Sequence, residues 1–226
     1  MQVNTMIYEV TRRCNARCEH CLRGPTQKID MSNEVINKSL EGIDYISNIT
    51  FTGGEPSLAV DRIRYILEAV KLRKISVDSF YLVTNGKVKS LDLCIALMEW
   101  YAYCDSNEIS SFCISKDQYH SREIGSIKEA DTLYKALTFY HEDERQHDIT
   151  SLINEGRART NKIGERDAST SVHCERNDDG IIESIEEVYI NALGDVCTGC
   201  DLSFSSQKKN KIGSVLTESL EQIYQK

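Results

Sequence analysis

Cys14, Cys18 and Cys21 stand in the spacing C-x3-C-x2-C within Thr11-Arg12-Arg13-Cys14-Asn15-Ala16-Arg17-Cys18-Glu19-His20-Cys21. Cysteine thiolates are the usual protein ligands of iron–sulfur clusters. Three of them on one tight loop can hold three irons of a [4Fe–4S] cluster and leave the fourth without a protein ligand. A small molecule can bind at such an open iron and be reduced there. The competing reading is a structural zinc site, which asks for four ligands and would draw on His20 or on the distant Cys197 and Cys200. Three cysteines in one short loop with no obvious fourth partner nearby favour the cluster.

Thr52-Gly53-Gly54-Glu55-Pro56 is the second such stretch. Two glycines let a ligand come close to the backbone, and Glu55 offers a carboxylate to an ammonium group. Alone, it also reads as a Gly-Gly turn ahead of a helix. Ser115-Lys116-Asp117 ends an apolar run and reads, on residues alone, as a polar strand-to-loop turn. Thr84-Asn85-Gly86 closes another apolar run, where Asn85 can simply fill a turn position.

Taken in order, these motifs resemble the radical S-adenosylmethionine (radical SAM) superfamily over about residues 5–160. The cysteine loop and Gly53-Gly54-Glu55-Pro56 carry most of the specificity. The resemblance implies a [4Fe–4S] cluster on Cys14, Cys18 and Cys21, with the amino and carboxylate groups of S-adenosylmethionine chelating the open iron. One electron from the reduced cluster then breaks the sulfonium–C5′ bond, and the resulting 5′-deoxyadenosyl radical takes a hydrogen atom from the substrate. Gly53, Gly54, Glu55 and Pro56 would hold the methionine amino group, and Ser115 and Asp117 the ribose. His20 stands where the family has an aromatic residue, and its backbone would meet the adenine. Arg157 would pair with the methionine carboxylate; its plainer reading is a surface arginine. Arg12, Arg13 and Arg17 would put positive charge near an anionic cluster, or simply solvate a loop. His120 is a candidate for the cavity or an ordinary loop histidine.

The tail carries a further resemblance. Tyr189 to Cys200, with Cys197 and Cys200 in C-x2-C spacing, is similar to the accessory segment of the SPASM and twitch subfamilies. There a β-hairpin brings cysteines to an auxiliary iron–sulfur cluster, and Cys174 would be the third ligand. Three candidate cysteines are about half of what a full SPASM domain has. The fourth ligand would be Asp201, a substrate atom, a remote cysteine or nothing, and zinc or a metal-free pair are the alternatives. The resemblance implies an enzyme acting on a peptide or protein side chain. The alternatives are a small metabolite or nucleotide, a glycyl-radical activase, or a non-enzymatic metal-bound sensor. A reductant such as a flavodoxin or ferredoxin is the implied electron donor.

The elements that must position these residues alternate. Strand patterns at 5–11, 48–52, 80–83, 109–115 and 148–153 are separated by helix patterns at 33–46, 60–74, 90–103 and 123–140. That alternation specifies α/β architecture with a parallel sheet. Five units are too few for a closed eight-stranded barrel, so a partial, open (β/α) barrel is expected over 1–155. The candidate residues recur just after strand ends, where parallel sheets bind ligands. Residues 156–226 are expected to form a small appendage: a hairpin at about 186–200 and a short helix at 216–224. The 226 residues suffice for one domain with such an appendage, and 40% hydrophobic content supplies a core. A net charge of −8 argues against a broad nucleic-acid-binding surface. No apolar run is long enough to span a bilayer and the N-terminus is no secretory signal, so a cytoplasmic location is expected. Nine cysteines in a reducing compartment read as ligands or thiols rather than disulfides. Cys94, Cys104 and Cys113 lie in apolar surroundings and read as core.

Overall fold

The computed structural model describes residues 1–142 and 151–226. Ten strands are found among them: β1 (Gln2–Thr11), β2 (Tyr45–Gly53), β3 (Ser76–Thr84), β4 (Ser111–Ile114), β5 (Leu152–Ile153), β6 (Gly164–Arg166), β7 (Cys174–Arg176), β8 (Ile182–Ile190), β9 (Asp195–Cys197) and β10 (Lys211–Ser214). The helices are α1 (Asn33–Ser39), α2 (Val60–Arg73), α3 (Leu91–Tyr103), α4 (Gln118–Ile124), α5 (Lys128–Tyr134), α6 (Gly156–Thr160) and α7 (Leu220–Tyr224). The main sheet runs β10-β9-β8-β1-β2-β3-β4, with β7 added beside β8. The pairs β8–β1, β1–β2, β2–β3 and β3–β4 are all parallel. The result is the expected mixed α/β fold with a mostly parallel, open sheet.

Burial explains the order. Val3, Met6, Ile46, Ile49, Val77, Phe80, Leu82 and Phe112 are fully buried, because crossover helices cover a parallel sheet. Helix α2 buries Ile63, Ile66, Leu67 and Val70, one stripe at helical spacing. Trp100 of α3 packs on Phe51, and its indole N–H donates to Ile63 O at 3.1 Å. Truncating one such side chain would cost about 2–5 kcal/mol.

Several expected boundaries move. The helix expected over 33–46 ends at Ser39, because Gly42 takes φ +75° and turns the chain; Ile46 belongs to β2 instead. Ser32 caps that helix, its hydroxyl accepting from Val35 N. The helix expected over 123–140 is two short helices, broken at Gly125 (φ +73°). Of the strand expected over 148–153, residues 148–150 lie outside the described residues, and Leu152–Ile153 pair with β6 in a separate two-stranded sheet. Beside β4 the chain at 139–141 forms the ladder: Phe112 N donates to Phe139 O and His141 N to Phe112 O.

The C-terminal hairpin joins the main sheet. Strand β8 pairs with β1 from Gln2↔Ser184 to Tyr8↔Ile190, then turns at Gly194 into β9. Asn191 Oδ1 accepts from Leu193 N and Asp195 N and so shapes that turn. A buried polar network fastens the two. Glu9 of β1 receives Arg12 Nε (2.6 Å), Gln207 Nε2 (2.7 Å), the Tyr189 hydroxyl and Ala192 N (3.1 Å). Arg12 is completed by Gln27 and Gln207. A buried carboxylate is tolerable only with such a full set of donors.

Candidate functional site

The carboxyl ends of β1 to β4 open on one cavity of about 660 Å³. Its wall includes Cys14, Cys18, Cys21 and His20 after β1, Gly53, Gly54 and Glu55 after β2, Thr84 and Asn85 after β3, and Ser115, Asp117 and His120 after β4. Leu152, Ile153, Arg166 and Asp201 close the far side. Every motif singled out from β1 to β4 therefore meets at this mouth.

The two glycines do something other than admit a ligand. A Cβ on Gly53 would stand 2.2 Å from Thr11 O, and one on Gly54 2.3 Å from Arg13 O. The space is occupied by the backbone that leads into Cys14. Gly54 N donates to Thr11 O and Glu55 N to Arg13 O, both at 2.8 Å. The glycines thus bring Glu55 against the root of the cysteine loop. The Glu55 carboxylate is buried and fixed by three donors: Ser57 N (3.0 Å) and the Thr84 hydroxyl (2.6 Å) on Oε1, and Asn85 N (2.8 Å) on Oε2. An ionised carboxylate has about four acceptor positions, so room remains for one further donor. Pro56 starts a short 3-10 turn (Pro56–Leu58) at the head of α2 and does not line the cavity wall.

The three loop thiols are free, Cys18 buried and the other two half-buried. Burial pushes Cys18 up to about 12, and the neighbouring Cys21 and Cys14 sulfurs add to it. Cys14 is raised by burial and by Glu55 and Cys21, while Arg157 pulls it down. Sulfurs that oppose one another's ionisation are the donor set that cationic iron stabilises as thiolates. His20, Asp117 and His120 bring three ligand atoms within 4.8 Å of one another at the edge of the same cavity. The three loop thiols share one cavity wall with Glu55, and each is a soft donor of the kind iron–sulfur clusters use. These residues fit a [4Fe–4S] cluster.

The loop arginines are variously engaged, and Arg157 adds a cation from outside the loop. Arg12 is buried in the Glu9 network, and Arg13 pairs with Asp30 at 2.7 Å. Arg17 is exposed. Arg157 instead lies against the loop: its backbone N–H donates to Cys21 O (2.8 Å) and its guanidinium to Cys18 O (3.5 Å). Gly156 (φ +54°) permits this approach, since a Cβ there would stand 2.2 Å from Leu22 O. Arg23, which sequence reasoning missed, is buried beneath the loop and donates to Cys200 O (2.6 Å) and Leu202 O (2.7 Å). Nothing in its sequence neighbourhood distinguishes it from the other loop arginines.

At the fourth edge, Ser115 lines the wall. Asp117 caps α4, its Oδ1 accepting from Tyr119 N (2.9 Å) and His120 N (3.0 Å), while Oδ2 meets His120 Nδ1. Burial opposes its ionisation, but the His120 hydrogen bonds outweigh that and hold it at about 2. His20 stacks on Tyr119 with ring centroids 4.7 Å apart and meets His120 edge-on at 4.8 Å. Burial, then His120, lowers His20 to about 4, so it is neutral at pH 7. Lys116 is engaged by Asp131 and Glu142.

The tail cysteines lie along β8 and its neighbours. Cys197 lies opposite Tyr189 and Cys174 opposite Ile185, four residues along β8. At ~3.3 Å per residue that is about 13 Å. Tyr224, donating to Glu187 O at 2.8 Å, stands over the intervening stretch. Cys197 is buried against Ile7, Tyr189 and Leu202, with Cys200 partly buried beside them. Burial raises them to about 12 and 11. Cys197 and Cys200 thus lie together, and Cys174 stands further along β8.

Residues 8–100 match the model of the Radical SAM superfamily. Over 76 residues the chain is 34% identical to protein YfkA of Bacillus subtilis (strain 168), a stretch covering 31% of this chain and 20% of that protein. This chain thus spans about one fifth of that relative's length. The solved structure of native anSMEcpe with bound AdoMet and Cp18Cys peptide is similar with a TM-score of 0.64 and 12% identity, over 100% of this chain and 81% of that one. A histidine-tagged form of anSMEcpe with bound AdoMet gives 0.60 and 13%, over 99% and 80%. At these identities the likeness is one of fold. No helix among the described residues is long and apolar enough to cross a membrane.

Proposed function

We propose that this chain is a radical SAM enzyme, of the superfamily whose model matches residues 8–100, and that it uses S-adenosylmethionine and a [4Fe–4S] cluster to modify a peptide or protein side chain. The observation that carries this reading is the cavity shared by three loop thiols and the buried Glu55 carboxylate. Cys14, Cys18 and Cys21 would hold three irons, and Glu55, with its remaining acceptor position, would receive the methionine ammonium. Gly53 and Gly54 set the Glu55 backbone against the loop. Ser115 would meet the ribose, and Asp117 would do so with the acceptor capacity that His120 leaves to it. His20 would border the adenine. Arg157 holds the loop carbonyls and keeps a positive charge beside the sulfurs, which suits a carboxylate ligand and the cluster alike. When bound, the cluster and S-adenosylmethionine supply one-electron cleavage of the sulfonium and a carbon-centred oxidant for a C–H bond. The protein positions them and keeps water out. A flavodoxin or ferredoxin provides the electron. The peptide class is supported by the fold shared with a protein solved with a bound peptide. Residues 156–226 are a twitch-like extension that closes one side of the cavity with Arg166 and Asp201.

Anaerobic reconstitution with iron and sulfide tests the generator. Wild type should bind about four irons and release 5′-deoxyadenosine on reduction, and Cys18→Ala should do neither. Zinc in place of iron, with no deoxyadenosine, would refute it. Mass spectrometry of a peptide library should then show hydrogen loss from a side chain. Deoxyadenosine release stimulated by small metabolites and by no peptide would remove the peptide class alone.

A further inference from the structure

Asn85 is hydrogen-bonded to both halves of the site. Its backbone N–H donates to Glu55 Oε2 at 2.8 Å, and its side-chain amide donates to Asn15 Oδ1 at 2.9 Å, inside the cysteine loop. The remaining amide oxygen accepts from Lys87 N at 2.9 Å, which folds the chain back so that Lys87 Nζ reaches Asn15 O at 2.7 Å. Asn85 is buried and Asn15 half-buried, so the bond between them is shielded from solvent. The preceding Thr84 holds the other Glu55 oxygen. One short turn thus fixes the carboxylate and the part of the loop between the first two thiols.

We propose that Asn85 is a positioning residue that sets the cysteine loop at the correct distance from Glu55, with Lys87 as the second arm of the same clamp. The inference rests on the reading of this cavity as the S-adenosylmethionine site. The physical reason is a difference in anchoring. Glu55 is held by the ends of β2 and β3, whereas residues 14–21 form an irregular loop whose interior is tied to that sheet edge at Asn15. The root of the loop is fixed separately, through Arg13 O and through Cys14 N donating to Thr26 Oγ1 at 2.9 Å. Losing the clamp should leave the thiols able to collect iron but poorly aligned with Glu55. A ligand spanning the open iron and Glu55 would then bind less well than either half predicts.

The test measures binding rather than turnover. S-adenosylmethionine is titrated anaerobically into the reconstituted protein with its cluster oxidised, and iron content is measured in parallel. The electron paramagnetic resonance spectrum of the reduced cluster is recorded with and without S-adenosylmethionine. Asn85→Ala should keep wild-type iron content, weaken S-adenosylmethionine roughly five- to tenfold, the size of one or two neutral hydrogen bonds, and diminish the spectral shift on binding. Asn15→Ala should do the same, and the double variant should be no worse than either single one, because both remove one interaction. Lys87→Met, at an exposed position, should give a smaller loss. If Asn85→Ala weakens binding while Asn15→Ala does not, Asn85 acts by touching the ligand and the clamp is overturned. Unchanged affinity in Asn85→Ala, or iron lost together with affinity, overturns it too. Wild type that takes up iron yet never binds S-adenosylmethionine would instead refute the underlying reading.

Discussion

Gly54→Ala isolates the close approach between the second strand end and the cysteine loop. The added Cβ would meet Arg13 O at 2.3 Å and Arg13 C at 2.7 Å, where ordinary contact lies at 3.4–4 Å. Both neighbours are backbone, so no side chain can swing aside. The loop root must retreat by about 1 Å, which breaks or stretches the two 2.8 Å bonds, Gly54 N to Thr11 O and Glu55 N to Arg13 O. Two buried backbone bonds at about 1 kcal/mol each, with overpacking of about 1–3 kcal/mol partly relieved by that retreat, give a loss of roughly 2–4 kcal/mol. For a chain of this size that is a fall in Tm of roughly 5–15 °C. The control is Gly180→Ala, where φ is +77° and nothing lies within 4 Å of the new Cβ. There the cost is left-handed strain alone, about 1–2 kcal/mol. Circular-dichroism melting of the metal-free proteins gives the stability, and iron uptake during reconstitution gives the consequence at the site. Gly54→Ala should melt below Gly180→Ala and load iron poorly, whereas Gly180→Ala should load like wild type. If the two melt alike and both take up full iron, the glycine pair is only a turn and its coupling to the loop is wrong.

Three further outcomes are expected. Arg157→Met keeps the backbone bond to Cys21 O but removes the cation beside the sulfurs. The cluster potential should fall by roughly 20–60 mV, about 0.5–1.4 kcal/mol for one electron, and an unchanged potential in a redox titration would count against Arg157 as the relevant charge. His20 is lowered to about 4, chiefly by burial, from about 6.5 when unfolded. The unfolded chain therefore binds the extra proton, and stability is lost as pH falls from about 6.5 towards 4, by ~1–3 kcal/mol. His20→Phe, which retains the stack on Tyr119, should flatten that part of the denaturation profile of the metal-free protein; parallel profiles would exclude it. Arg12→Met leaves Glu9 buried with its charge unpaired and should cost about 3–5 kcal/mol, read as a urea midpoint shift. A loss under about 1 kcal/mol would show that the network does not fasten the C-terminal strands.

The chemistry-bearing residues were legible because each follows a strand, and parallel strands deliver their carboxyl ends to one edge. Cys14, Glu55, Thr84 and Ser115 meet there for that reason alone. What sequence could not supply was which neighbour each residue faces, since that depends on strand order and on where loops pack. Gly53 and Gly54 carry the same residue type whether they admit a ligand or a loop backbone; only the pairing of β1 with β2 puts Thr11 and Arg13 into that space. The arginines divide in the same way. Arg12 and Arg23 lie near the cysteines in sequence, yet Glu9 and Gln207 draw one under β1, while Cys200 O and Leu202 O draw the other beneath the loop. Gln207 is 195 residues from Arg12, and Cys200 is 177 from Arg23, so no local pattern announces either contact. The parallel pairing of β8 with β1 decides the tail cysteines. It stretches residues 182–190 along the sheet and sets Cys174 and Cys197 at stations four β8 residues apart, a spacing that a count of cysteines could not give. Spacing within one loop is local and survives folding, as with Cys14, Cys18 and Cys21. Ligand sets drawn from separate strands depend on register, and there periodicity carries no information about distance.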